Sequence, residues 1–165
     1  MKETKQILIS GEVDEDMLAN VFNELKDAAE VGADVRAVIS TFGGCVYCAL
    51  GIYDLLRTYP GYVTTVGIGA VMSAGTILMQ GGRLRLAGES AQFLVHYGAE
   101  ISESHADAKQ NKRLNAQMKA LYLRHCKSLP PPVLTAWLRE DKYLNSAEAL
   151  KYGLIDGVAR ENKLS

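Results

Sequence analysis

Three residues of the kinds that cooperate in acyl transfer lie in order along the chain: Ser73, His96 and Asp141. Ser73 sits in Gly67-Ile68-Gly69-Ala70-Val71-Met72-Ser73-Ala74-Gly75, after a β-type run and at the start of a helix-like stretch. Small neighbours let a substrate backbone come close, and a helix N-terminus directs N–H groups and positive dipole at a developing oxyanion. The segment is not a G-x-S-x-G elbow, because Val71 and Met72 precede the serine. Taken alone, Ser73 fits an ordinary helix N-cap better than a nucleophile. His96 ends the run Gln92-Phe93-Leu94-Val95, where an imidazole that titrates near neutrality is placed to act as general base. A lone histidine there would more often be a satisfied core residue. Asp141, between Glu140 and Lys142, reads by itself as a surface-loop aspartate.

Gly43-Gly44 follows one strand and precedes a helix. A glycine pair there can make a tight turn whose N–H groups face the strand ends, half of an oxyanion hole, or it can be a plain strand–helix turn. No G-x-x-x-x-G-K-[ST] accompanies it, which argues against a nucleotide loop. His105 and His125 lie on the polar helix with no nearby candidate for a nucleophilic serine and read as surface or interface residues. Cys45 and Cys48 form a C-x-x-C that His125-Cys126 could complete as a zinc site. No second C-x-x-C exists, and i and i+3 share a helix face, so core packing is preferred and neither metal nor cofactor is expected.

The elements that must position these residues alternate between strand and helix. Strand-type runs cover Gln6 to Ser10, Val35 to Ser40, Tyr62 to Ile68, Leu84 to Ala87 and Gln92 to His96. The stripe Met17, Leu18, Val21, Phe22 and Leu25 predicts a helix over Asp14 to Ala29, and further helices are read over Val46 to Tyr59 and Ser73 to Gln80. Such repeated units imply a mostly parallel α/β sheet, whose sites form at the carboxyl ends of strands. Gly44, Ser73 and His96 all fall at such ends. Glu103 to Lys127 is a polar helix with the thin stripe Leu114, Met118, Leu121 and His125, a pattern that projects from the body or packs on another subunit. Pro130-Pro131-Pro132 breaks it, a short helix follows over Val133 to Arg139, and Asn145 to Glu148 has capping-box spacing before a helix that Gly153 ends.

With 165 residues the chain suits a single domain, 1–165, able to bury a core without disulfides. It is 48% hydrophobic and 22% charged, with a net charge of −1, which gives no electrostatic reason to expect nucleic acid or an anionic membrane as partner. No run spans a bilayer and no signal peptide is seen, so a cytoplasmic protein is expected.

As an ordered set these segments resemble the proteolytic-subunit family of the Clp protease, ClpP, over about Ile7 to Val158. Ile7-Leu8-Ile9-Ser10-Gly11-Glu12-Val13-Asp14 resembles the family's opening strand and turn. Ser40-Thr41-Phe42-Gly43-Gly44-Cys45-Val46 with Gly51-Ile52-Tyr53-Asp54 is similar to N-S-P-G-G and A-I-Y-D. Gly69 to Gly75 resembles G-M-A-A-S-M-G, and Phe93-Leu94-Val95-His96 resembles V-M-I-H. Asp141-Lys142-Tyr143-Leu144-Asn145-Ser146-Ala147-Glu148-Ala149 and Tyr152-Gly153-Leu154-Ile155-Asp156 are similar to the D-R-F-L-S-A-x-E-A and Y-G-L-I-D ending.

The resemblance implies a ClpP/crotonase-like fold with a projecting handle helix at about 103–127. It also implies a serine endopeptidase with Ser73 as nucleophile, His96 as base, Asp141 as its orienting carboxylate, and the Gly44 and Ala74 N–H groups as oxyanion hole. Implied partners are unfolded polypeptides, further copies in a heptameric ring, and an AAA+ ATPase unfoldase. Phe42 stands at the family's proline and Tyr97 where the family has Gln-Pro. Tyr97 to Ile101 lacks the family's Gly/Gln-rich strand that joins two rings, so single and double rings both stay open. Only about six residues precede the first strand, so the form reads as shortened at its start. Two other readings share the scaffold. One is a Ser–Lys peptidase of the signal-peptide-peptidase type using Lys109 or Lys112, and the other is a non-catalytic ring subunit.

Overall fold

A computed structural model describes residues 3–98 and 105–159, the side chain of His105 excepted. Its elements are β1 (Thr4–Val13), α1 (Glu15–Glu30), β2 (Asp34–Gly44), α2 (Val46–Thr58), β3 (Val63–Met72), α3 (Ala74–Met79) and β4 (Leu84–Gly88). They continue with β5 (Gln92–Val95), α4 (His105–His125), α5 (Pro131–Glu140), β6 (Lys142–Asn145), α6 (Ser146–Lys151) and β7 (Gly157–Ala159). The main sheet runs β1-β2-β3-β4-β7, all parallel, as the strand–helix alternation implies. β5 leaves this path. It pairs in parallel with the far end of β3 and antiparallel with β6.

The helices form where the apolar spacing places them. Asp14 caps α1 by accepting from the Met17 N–H at 2.8 Å, and Met17, Val21, Leu25 and Ala28 face the core. Phe22, expected in that stripe, instead stands 53% exposed. α2 buries Ala49, Ile52, Tyr53 and Leu56 in the same core cluster. The sequence-predicted capping box at Asn145 and Glu148 forms, and Gly153 closes α6 at φ +77.

Several boundaries differ from the sequence expectation. β2 runs on through Gly43 and Gly44 and β3 through Met72, so neither glycine-rich segment is a simple turn. Parallel pairing with β1 supplies the hydrogen bonds that carry β2 past glycines poor in strand propensity. Pro131 and Pro132 open α5 rather than precede it, since proline's missing N–H costs nothing in a first helical turn. β6 and β7 span four and three residues, too short for periodicity to register. The first half of α4 is exposed as expected, but Met118, Leu121 and Tyr122 are buried, so its second half docks on the core. Residues 103 and 104 of the expected helix lie outside those described, as do residues 99–101 of the segment after His96.

Arg85 fastens β4 to the turn after α6. Its guanidinium grips both Asp156 carboxylate oxygens and also reaches Gln80 Oε1 at 2.6 Å and the Gly153 carbonyl at 3.0 Å. Burial opposes ionisation of Asp156, yet the Arg85 hydrogen bonds win and hold its carboxyl below the usual carboxylate value.

Candidate active site

The pairing of β3 with β5 brings Ser73 to His96. Met72 lies opposite Leu94, and one step further the Ser73 N–H donates to the Leu94 carbonyl at 2.8 Å. Ser73 occupies the N-cap position of α3 but its side chain makes no cap. Its backbone is turned to φ 54°, ψ −120°, a conformation costly for a residue with a Cβ. Two bonds on its carbonyl secure that turn, from the Thr76 N–H at 3.0 Å and the Thr76 hydroxyl at 2.7 Å. The side chain thus freed from capping places Oγ 2.6 Å from His96 Nε2. The structure therefore contradicts the ordinary N-cap as an account of this serine.

Asp141 reaches His96 through the register of β5 and β6. Val95 pairs with Lys142, so the next step sets His96 opposite Asp141. Asp141 is the C-cap of α5, in the left-handed region at φ 55°, ψ 75°, which aspartate tolerates better than most residues. Its Oδ1 lies 3.2 Å from His96 Nδ1, with the Asp141 side chain 65% exposed and the imidazole 23%. A carboxylate can only accept, so Nδ1 carries the proton and Nε2 is left to accept from the Ser73 hydroxyl. A hydroxyl, imidazole and carboxylate so ordered can transfer the serine proton to His96 and stabilise the resulting imidazolium.

The two glycines meet this group from β2. A Cβ on Gly43 would lie 2.8 Å from the Ser73 Cβ and 3.3 Å from the Ala74 nitrogen, while one on Gly44 would run into the Val13 backbone. Both have positive φ, +112° and +148°. The Cys45 N–H donates towards β1, to the Val13 carbonyl at 2.7 Å. Ala74 opens α3, and its N–H is among those a helix leaves without an intrahelical acceptor. Buried Thr41 steadies the pair. Its hydroxyl donates to the Gly11 carbonyl at 2.5 Å and accepts the Gly43 N–H at 3.0 Å. A cleft of about 600 Å³ lies along Thr41 to Gly44, with Phe42 beside it 81% exposed.

Other sequence candidates lie elsewhere. Lys109 and Lys112 are exposed on the first half of α4, poor settings for a lysine base, which works best desolvated. His125 is no free surface residue. It is half-buried, with Nε2 2.7 Å from the Tyr53 hydroxyl, and burial followed by nearby Arg57, Arg85, Arg124 and Lys127 lowers its pKa to about 4. The side chain of His105 is outside those described. Cys45 is exposed at the N-cap of α2 rather than packed in the core, and its Sγ accepts the Cys48 N–H at 3.4 Å. Cys48 is buried, its thiol pushed up to about 11 by burial and by Cys45. Cys126 is buried against Gln80. Among the described residues no cluster of three or more His, Cys, Asp or Glu is arranged to hold a metal. Among the same residues, no helix is long and apolar enough to cross a membrane. Thr41, Thr76 and Tyr122 were not singled out by sequence: the Thr41–Gly11 and Thr76–Tyr122 bonds join residues remote in the chain, and a threonine three residues after a serine is too common to mark a site.

A parallel α/β sheet carrying a hydroxyl, an imidazole and a carboxylate in line beside its strand ends is built as a serine hydrolase is. Comparison with known proteins narrows the class. The Clp protease family model matches residues 1–162. An ATP-dependent Clp protease proteolytic subunit of Deinococcus radiodurans is 31% identical over 149 residues, covering 84% of this chain and 72% of that protein. Proteolytic subunit 1 of the ATP-dependent Clp protease from Rhodococcus jostii is 28% identical over 173 aligned positions, covering 99% and 78%. A ClpP1 point mutant from Listeria monocytogenes has the same fold, with a TM-score of 0.89 at 22% identity over 95% of this chain and 92% of that one. The chain belongs to the Clp protease family, and its activity is that of a serine endopeptidase of the Clp proteolytic-subunit type.

Proposed function

We propose that Ser73 is the nucleophile of this peptidase, with His96 as general base and Asp141 as the group that orients His96. The observation that carries the reading is the Ser73 side chain, which forgoes the cap of α3 and lies 2.6 Å from His96 Nε2. His96 takes the hydroxyl proton as Ser73 Oγ attacks a peptide carbonyl, and the Gly44 and Ala74 N–H groups receive the oxyanion. His96 then protonates the leaving amine, and water hydrolyses the acyl-enzyme by the same steps.

The chain acts as one peptidase domain, 1–165, in a homo-oligomeric and heptameric ring, cytoplasmic, cutting unfolded polypeptides in an enclosed chamber. The names of its relatives include "ATP-dependent", which supports an AAA+ ATPase unfoldase as partner. The exposed first half of α4 supports assembly with further copies, since such a polar, thinly striped helix is stabilised by packing. The test is labelling by a fluorophosphonate probe in wild type, Ser73→Ala, His96→Ala and Asp141→Ala, followed by casein cleavage with and without an ATPase and light scattering for the ring. Labelling of wild type but not Ser73→Ala is expected. A wild-type protein left unlabelled in every oligomeric state would refute the assignment, and a monomer at micromolar concentration would refute the ring.

A further inference from the structure

Beneath the serine lies a buried hydroxyl pair that takes no part in the proton transfer between Ser73 and His96. Thr76 on α3 and Tyr122 on α4 are 0% and 1% exposed, with their hydroxyl oxygens 2.5 Å apart. The Thr76 hydroxyl also lies 2.7 Å from the Ser73 carbonyl oxygen, which can only accept. Threonine has one hydroxyl proton, and the carbonyl claims it. The Tyr122 hydroxyl must therefore donate to Thr76 Oγ1. Burial pushes the Tyr122 phenol well above its ordinary value, so it keeps that proton. The order is fixed: Tyr122 O–H to Thr76 Oγ1, and Thr76 O–H to the Ser73 carbonyl.

The carbonyl at the end of this relay belongs to the residue in the left-handed conformation. A strained backbone persists only where its surroundings over-determine it. The Ser73 N–H is held by Leu94, so the remaining freedom is rotation of the Ser73 carbonyl, and the relay opposes that rotation. We propose that Tyr122 and Thr76 are positioning residues for the nucleophile, holding the Ser73 carbonyl in the turn that aims Oγ at His96. The inference rests on Ser73 being the nucleophile.

Mere packing by the same side chains is separable by experiment. Thr76→Val keeps the shape, removes the relay and strands the buried Tyr122 hydroxyl. Adding Tyr122→Phe removes the stranded group. A packing role would let the double variant recover stability and activity together. Positioning lets it recover stability alone, because the Ser73 carbonyl still lacks its second donor. Peptide cleavage, fluorophosphonate labelling rate and urea midpoints are measured on the full chain in its assembled state. In Thr76→Val kcat and the labelling rate are expected to fall about tenfold with KM unchanged, the scale of one lost hydrogen bond. Tyr122→Phe falls about threefold, the double variant stays as slow as Thr76→Val, and Thr76→Ser restores the rate. An unaltered kcat in Thr76→Val, or a kcat that recovers with stability in the double variant, overturns the inference. Failure of wild type itself to label would instead remove the assignment of Ser73, and this inference with it.

Discussion

The Asp141–His96 contact gives the sharpest expectation, because its exposure limits what it can contribute. At 3.2 Å an imidazolium and a carboxylate attract by about 1 kcal/mol at the dielectric constant of water and by about 5 kcal/mol at an effective value of 20. With the Asp141 side chain 65% exposed, the contact lies towards the watery end. We take about 1 to 3 kcal/mol, or roughly 5- to 150-fold in rate. A buried triad aspartate replaced by asparagine loses about 10⁴-fold, so this is a smaller effect. Asp141→Asn is the right perturbation, since asparagine also tolerates the left-handed backbone at φ 55° and adds little local strain. The assay is kcat/KM for a fluorogenic peptide beside the fluorophosphonate labelling rate, at low salt and again at 1 M salt. An exposed pair is screened, so the gap between wild type and variant is expected to narrow at high salt. A loss below twofold would mean that the carboxylate does not support His96. A loss as deep as that of Ser73→Ala would mean that Asp141 is buried in the working enzyme, and would refute a screened contact.

Four further expectations follow from the same geometry. Gly43→Ala drives a Cβ to 2.8 Å from the Ser73 Cβ and should reduce labelling by about 100-fold. Gly32→Ala, left-handed at φ +65° with nothing within 4 Å, should cost about 1 kcal/mol of stability and leave labelling alone. His125 has its pKa lowered to about 4 against an ordinary 6.5, so its stabilisation is complete above pH 6.5 and is lost as pH falls towards 4. Its partial exposure reduces the full linkage of about 3 kcal/mol to about 1 to 2, and urea midpoints for His125→Gln should show a flatter acid limb. Asp156, lowered by Arg85 from the ordinary 3.8, stabilises fully above that value and ceases to as pH falls through its own lower one. Asp156→Asn should therefore unfold at lower temperature at pH 7, with the deficit shrinking in acid below pH 3.8.

Much of the positional logic was readable in the chain because it rests on local patterns. The strands β1, β2 and β3 carry β-branched residues, β4 and β5 are short and largely apolar, α1 carries its stripe, and Ser73 and His96 fall at strand ends. What escaped depends on partners far away in sequence. Gly43 and Gly44 look like a turn until β1 pairs with them, and no local signal distinguishes the two. The φ of Ser73 is invisible because small neighbours suit both a plain turn and a strained one. Thr41, Thr76 and Tyr122 act through bonds to residues 30, 3 and 46 positions away, of which only the Thr76 bond to Ser73 lies within reach of a local pattern. Even there, threonine in a first helical turn is too common to signal anything.

Asp141 shows most clearly why tertiary pairing had to decide. It is set opposite His96 by β6, a strand of four residues with no periodicity of its own. A slip of one residue would put Lys142 in its place, a cation that would oppose the imidazolium it is meant to stabilise. Such a slip would also exchange the faces of Leu144 and Tyr143. Leu144 is 1% exposed and Tyr143 60%, so a slip would lift the leucine from the core, at a cost of about 2 kcal/mol or more. Within β6, burial of one leucine thus favours the register in which the carboxylate faces the histidine. β5 carries both alignments, binding Ser73 through its parallel neighbour and Asp141 through its antiparallel one. A single short strand therefore brings together residues 23 and 45 positions from the histidine that follows it, and the site is as rigid as that strand's two pairings.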